Sequence, residues 1–286
     1  MTRSLTGLAA LAGRYDALLC DVWGVIHNGR ESFAGPCEAL ARWRETVGPV
    51  VLISNAARPS AEVGVQLDGL GVPRAAWSAL VTSGDVTRTL LAERAPGPAY
   101  SLGPERNATL YAGLGLDFAP LEAATFIACT GPVDDDVETP EDYRDLLTAA
   151  AARRLPMICA NPDKVVQRGD RLIYCGGALA ELYETLGGTA IMAGKPHPPI
   201  YAASLAKARE LAGAPIPAGR VLAIGDGIAT DIAGANAQGL DVLFVAAGIH
   251  GVEARGPDGR LDMAAVERLL GAAGAHADYA IGDLAW

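Results

Sequence analysis

The chain has little with which to cross-link itself. Its five cysteines (Cys20, Cys37, Cys129, Cys159 and Cys175) are odd in number, widely scattered and never spaced as CxxC. That spacing argues against a disulfide framework and against zinc, and it fits reduced, mostly buried thiols in a cytoplasmic protein. Long apolar runs are also missing: no stretch reaches the roughly 18 consecutive apolar residues of a membrane span, so no membrane partner is expected. Positive charge is in deficit, with 23 Lys and Arg against 33 Asp and Glu and a formal net charge of −10. A nucleic acid would be repelled unless a basic patch intervened. The densest basic spot, Arg153–Arg154, reads as the solvated end of a helix, and no nucleic-acid partner is expected. Anionic small substrates stay open, because a site can supply its own local positive charge.

The N-terminal "MTRSLTGLAALAG" has the Arg and the short apolar run of an export signal. The run is barely long enough, however, and "YDALLCDVWG" follows at once as a strand, so an amphipathic first helix is the better reading. With 286 residues, 50% of them hydrophobic, the chain can bury an ordinary core as one large domain or two. No internal repeat or low-complexity linker interrupts it.

Buried strands alternate with helical periodicity. "ALLCDVW" (17–23), "PVVLISN" (49–55), "RVLAIGD" (220–226) and "DVLFVAAG" (241–248) read as strands. Residues 35–48, 59–72 and 228–240 read as helices, the first with Leu40, Trp43 and Val47 on one face. The middle has its own rhythm: "AYSLG", a helix around 104–114, "ATFIACTG", a helix from Pro140 to Arg154, "PMICANPD", and a helix through "GALAELYETLGG". This pattern predicts an α/β fold, a doubly wound, Rossmann-like parallel sheet at 1–81 and 190–286 with a second α/β domain inserted at 82–189.

The chemistry gathers at strand ends. Asp21 ends the first strand, Ser54 and Asn55 end the second, Lys195 stands in "AGKPHP", and Asp226 ends a late strand in "IGDGIATD" with Asp231 five residues on. In a doubly wound sheet the carboxyl ends of the strands open onto one crevice. Three acids, one lysine and one hydroxyl are therefore predicted to meet there. Asp21 and Asp226 are hard oxygen donors suited to Mg2+. Lys195 and Ser54 could hold phosphoryl oxygens, and Asp21 could attack phosphorus. "GDGIATD" is not GxGxxG, which disfavours a dinucleotide site.

These four motifs, "DVWGVIHNG", "LISN", "GKP" and "GDGIATDI", resemble the haloacid dehalogenase superfamily. Within it the chain is similar to subfamily IIA, the p-nitrophenyl-phosphatase-like members with a large α/β C2-type cap between the second and third motifs. The resemblance runs nearly the whole length, and "ANPD" before "GGALAELYETLGG" matches the return from cap to core. It implies a small phosphorylated metabolite as substrate and Mg2+ as cofactor. By the same resemblance Asp21 is nucleophile, Ser54 phosphate donor and Lys195 charge anchor. Asp21, Asp226 and the backbone carbonyl of Trp23 would ligate the metal, with Asp231 positioning Lys195 or a metal-bound water. Asn55, Asn161, Asp163 and His27 are candidates for contact with substrate. Cap-to-cap dimers occur in the family, which leaves a homodimer open.

Trp23 is the departure. The phosphatase pattern is Asp-x-Asp, and the second Asp protonates the leaving oxygen and then activates water. An indole N–H does neither near neutral pH. General acid–base help is worth ~10²–10⁴-fold in rate. Three accounts stay open: turnover is lost and a phosphate-ligand sensor remains, another group such as His27 carries the proton, or the leaving group needs little help. Ala56, Gly227 and Ala229 also stand where the family often has polar residues. Asn161 and Asp163 could equally form a simple turn. Asp134–Asp136 reads as a solvated acidic loop or as one that orients substrate, and Trp43 and Trp77 read as core aromatics.

Overall fold

Parallel strands covered on both faces have no polar side to show, so they appear in sequence as unbroken apolar runs. In the computed structural model, which describes residues 1–168 and 171–286, Ala17–Asp21 and Val221–Gly225 are buried at every position. The chain packs as two units. One comprises Met1–Ser54, Ala61–Val81 and Tyr201–Trp286, and the other Asn55–Ser60 and Thr82–Ile200.

The first unit is built on a seven-stranded sheet. Its order is Arg3–Ser4, Tyr279–Ile281, Asp241–Val245, Val221–Gly225, Ala17–Asp21, Val50–Ser54 and Ala79–Thr82. The first six strands pair in parallel. From Ala17–Asp21 the chain steps outward in one direction, then returns to build the other half from Val221–Gly225 onward. The order of strands thus reverses between these two neighbours, the position at which doubly wound sheets bind ligands. The helix Ala34–Thr46 buries Cys37, Leu40 and Trp43, spaced to share one face. Burial of each such large side chain stabilises by roughly 1.5–3 kcal/mol. The helix stops where the N–H groups of Val47 and Gly48 both donate to the Trp43 carbonyl, at 2.8 and 3.2 Å.

Two expectations need correction here. The N-terminal segment is a short strand, Arg3–Ser4, followed by a 3-10 turn, Leu8–Leu11, and not an amphipathic helix. Glycines at 7 and 13 weaken helix formation, and the backbone is already claimed: Leu5 and Leu8 N–H groups donate to the Ala280 and Ala285 carbonyls, both at 2.8 Å. The helix expected at 228–240 is instead a π turn, Ile228–Ile232, leading into a short α-helix, Ala233–Ala237. Trp77 is half-buried, with the Arg74 guanidinium 4.5 Å over its ring, whereas Trp43 is fully buried.

The second unit carries a four-stranded parallel sheet in the order Thr189–Met192, Pro156–Cys159, Phe126–Cys129, Ala99–Leu102, and an antiparallel pair, Val165–Arg168 with Arg171–Tyr174. Ile127, Cys129, Met157, Cys159 and Leu179 share its core. Helix Ser83–Ala92 opens with a reciprocal cap, in which Thr82 accepts from the Asp85 N–H at 3.0 Å and Asp85 accepts from the Thr82 N–H at 3.1 Å. The segment expected as a helix at 104–114 is a 3-10 run, Glu105–Tyr111. Asp134 and Asp136 are exposed, while Asp135 is paired with Arg106. The Arg153 guanidinium donates to the Ala124 carbonyl at 3.0 Å, tying down the helix end. Among the described residues no helix is long and apolar enough to cross a membrane.

All five cysteines are buried and unbridged, and a hydrogen bond with Cys129, together with burial, holds the Cys159 thiol well above the usual range. A protonated, inaccessible thiol is a poor nucleophile. Titration with a thiol-reactive dye under native conditions is therefore expected to read close to zero, and to read all five thiols once the chain is unfolded. Rapid native labelling would contradict the packing described.

Candidate active site

Parallel register sets the height of each acid. Cys20 pairs with Ile224 and Asp21 with Ile53, so Asp21 lies level with the end of Val221–Gly225, and Asp226 follows one residue beyond. Ser54 is the last residue of the neighbouring strand. Asp21, Asp226 and Asp231 are all buried, and each offers one carboxylate oxygen within 4.8 Å of the others. Three like charges held this closely away from water are costly unless positive charge or donors gather around them. A set of oxygen donors alone suits a hard divalent cation such as Mg2+ or Ca2+.

Backbone geometry makes room for these acids. A Cβ on Gly24 would sit 2.3 Å from Asp226 Oδ2, and one on Gly248 would sit 1.8 Å from the same atom. Gly24 also has φ +84°, a conformation that favours glycine. Between these two close approaches the Asp226 Oδ2 accepts the Ile249 N–H at 2.7 Å. Asp231 is aimed by the π turn. Its N–H and that of Ile232 both donate to the Gly227 carbonyl, at 2.8 and 3.1 Å. Its own Oδ2 accepts from the Gly227 N–H at 3.1 Å and from Thr230 Oγ1 at 3.3 Å. Single π turns of this kind recur at functional sites because the extra residue redirects a side chain.

Trp23 stands two residues past Asp21 and is 56% exposed. Its indole meets the His27 ring edge-on, with centroids 5.2 Å apart. His27 is buried, its Nδ1 accepts the Gly29 N–H at 2.9 Å, and burial lowers its pKa. The ring is thus held neutral with its basic nitrogen already engaged. That arrangement braces the turn and the indole, and it argues against His27 as a replacement proton carrier.

The remaining candidates lie in the second unit, where the structure ties them together. Asn55 Oδ1 accepts the Lys195 N–H at 2.7 Å, and its Nδ2 donates to the Lys195 carbonyl at 3.0 Å and to Asp163 Oδ1 at 2.9 Å. Asn161 Oδ1 in turn accepts the Asp163 N–H at 3.0 Å. Lys195 is only 3% exposed. Gly194 lets this network close, since a Cβ there would sit 2.5 Å from Asn55 Oδ1. The supporting glycines at 24, 194 and 248 and the Ile249 N–H escaped sequence reasoning. The one signal available was a glycine just past a strand end, as in "DVWG" and "VAAG". A separate cavity of about 630 Å³ opens at the amino-terminal ends of the strands, beside Asp16, Pro49 and Ser78. The carboxylate cluster is at the opposite ends.

Two measurements test this geometry. Gly248→Ala should displace the Asp226 carboxylate and weaken divalent-cation binding by the cluster, titrated calorimetrically with Mg2+ and Ca2+, about tenfold or more, with an unchanged circular dichroism spectrum. Unaltered binding would mean that the close contact is irrelevant. Because the His27 pKa is lower folded than unfolded, the unfolded chain takes up the proton first as pH falls. Stability should therefore be complete above about pH 6.5 and decline below it, by at most ~1.4 kcal/mol per pH unit. Melting temperatures of wild type and His27→Gln at pH 5 and 7 should show a shallower pH dependence in the variant, and equal slopes would refute the assignment.

The chain matches two family models, one described as haloacid dehalogenase-like hydrolase over residues 18–117 and one as HAD-hydrolase-like over residues 192–272. A haloacid dehalogenase-like hydrolase from Brucella suis 1330 is 44% identical, with 99% of this chain and 100% of that one covered and a TM-score of 0.82. D-glycerol 3-phosphate phosphatase from Mycobacterium tuberculosis is 28% identical over 247 residues, which span 85% of this chain but 66% of that protein. The crystal structure of a glycerol phosphate phosphatase from the same organism, in complex with magnesium, aligns at 27% identity over 84% of this chain and 70% of that one, with a TM-score of 0.63.

Proposed function

We propose that this chain, which belongs to the haloacid dehalogenase-like hydrolase family, hydrolyses phosphate monoesters of a small metabolite with Asp21 as nucleophile. The observation that carries the reading is the buried cluster of Asp21, Asp226 and Asp231 at the reversal point of a parallel sheet. The likeness to a protein named as a glycerol-phosphate phosphatase supports the phosphoester class. Crystal structures of a glycerol phosphate phosphatase in complex with magnesium and with calcium support a hard divalent cation, of which we take Mg2+. Asp21, Asp226 and the Trp23 backbone carbonyl would hold that ion. Bound there, a divalent cation supplies positive charge to the carboxylates and to the phosphoryl oxygens.

In this reading an Asp21 carboxylate oxygen attacks phosphorus and forms an aspartyl phosphate. Ser54 donates its hydroxyl to a phosphoryl oxygen, and the Lys195 ammonium neutralises charge on the same group. Asn55 fixes the Lys195 backbone, and Asn161 and Asp163 reach substrate from the same network. Asp231 acts through its neighbours and does not itself react. Residues 82–189, taken as the subfamily IIA cap, would set which ester is admitted. Trp23 leaves both chemical steps without the usual acid and base. The first step then favours good leaving groups, and hydrolysis of the phosphoenzyme becomes slow.

The test compares p-nitrophenyl phosphate with an alkyl phosphate, with and without Mg2+. Hydrolysis of the aryl ester should exceed that of the alkyl ester by ~10² or more. Rapid mixing should show a burst of about one nitrophenol per chain before the steady state. Asp21→Asn should abolish the burst, and Trp23→Asp should raise alkyl-ester turnover. If neither ester is cleaved while Mg2+-dependent vanadate binding persists, the chain is a phosphate-ligand sensor, the alternative that Trp23 leaves open.

A further inference from the structure

Trp23 and Ile249 are exposed apolar residues whose backbone neighbourhoods close on the same carboxylate. Ile249 is 76% exposed and follows Gly248, and Trp23 precedes Gly24. Those two glycines are the ones that close on Asp226 Oδ2, and the Ile249 N–H donates to that oxygen. The indole is not loose. A Cβ on Gly29, at φ +82°, would sit 2.2 Å from the outer edge of the Trp23 ring, and His27 holds it from another side. A rigid indole offers a planar apolar face or edge against which a flat ring can stack.

We propose that Trp23 and Ile249 form an apolar lip that receives the planar leaving group of an aryl phosphate. This rests on the phosphoester reading above and names its substrate class. The loss of the acid and the gain of the ring then have one explanation. As the Asp21 oxygen bonds to phosphorus, the phosphorus–oxygen bond to the aryl group breaks and its electron pair stays on the aryl oxygen. Phenols ionise near pH ~10, against ~16 for water and similar values for simple alcohols, so a phenolate departs without a proton from the protein. Water then cleaves the aspartyl phosphate, returning the carboxylate and hydrogen phosphate, and the proton released in that step ends on the phenolate.

The proposal is tested by binding, which does not depend on turnover. Phenylphosphonate and methylphosphonate are titrated calorimetrically with Mg2+ present into wild type, Trp23→Ala, Trp23→Phe and Ile249→Ala. Wild type should prefer the phenyl compound by about tenfold, the scale of one aromatic contact. Trp23→Ala should lose that preference, Trp23→Phe should retain most of it, and Ile249→Ala should reduce it. A preference that is absent, or that survives Trp23→Ala, overturns the inference even if aryl phosphates are hydrolysed. A Trp23-dependent preference in a chain that hydrolyses no phosphate would uphold the lip and sink the hydrolytic reading. Failure of both phosphonates to bind sinks both.

Discussion

The Asp226 carboxylate is enclosed by backbone on two sides, with Gly24 and Gly248 close enough that a single Cβ at either would collide with it. Much of the first unit can be understood as meeting that constraint. Three carboxylates converge at one strand boundary, so their mutual repulsion must be offset by donors and by space. The Ile249 N–H supplies a donor to Asp226, and the π turn supplies the Gly227 N–H and the Thr230 hydroxyl to Asp231. Glycine at 225 serves the same end, since a Cβ there would sit 2.3 Å from the Asp231 Cβ. Small residues and main-chain N–H groups do what bulky polar side chains could not do in the same volume.

Position 23 shows a different economy. An acid there would serve catalysis by moving protons, and the indole cannot. Its exposure, its edge contact with His27 and its fit against Gly29 instead make it a rigid apolar surface beside the carboxylates. His27 completes this arrangement by staying neutral. A charged imidazolium could no longer accept the Gly29 N–H and would have to be solvated in a buried place. The turn from Trp23 to Ser32 is thereby organised around packing and not around titration.

The strands and the acids at their ends were legible in the sequence for a physical reason. Buried parallel strands read as continuous apolar runs, and a single Asp or Ser closing such a run stands out, as at Asp21, Ser54 and Asp226. The N-terminal segment was misread because its Leu8 and Leu11 have helical spacing, while what decides its structure is pairing with Asp278, Ala280 and Ala285 more than 260 residues away. The π turn was hidden because a one-residue insertion leaves hydrophobic periodicity almost unchanged over 13 residues, 228–240. The steric role of Gly24 and Gly248 could not be read at all. It depends on which side chain arrives from another strand, and one sequence does not carry that information. The amide of Asn55 was picked out as a site residue, but its grip on the backbone of Lys195, 140 positions later, is a tertiary fact.

The same geometry explains how one residue of the first motif could change without dismantling the rest. The contacts that aim Asp226 described here come from the main chain of Gly24, Gly248 and Ile249, and those that aim Asp231 from Gly227 and Thr230. None of them runs through the side chain at position 23. The indole therefore stands beside the carboxylate cluster without being one of these supports. Main-chain N–H groups and the Thr230 hydroxyl hold the charge of Asp226 and Asp231, and the side chain at 23 presents an apolar surface beside them.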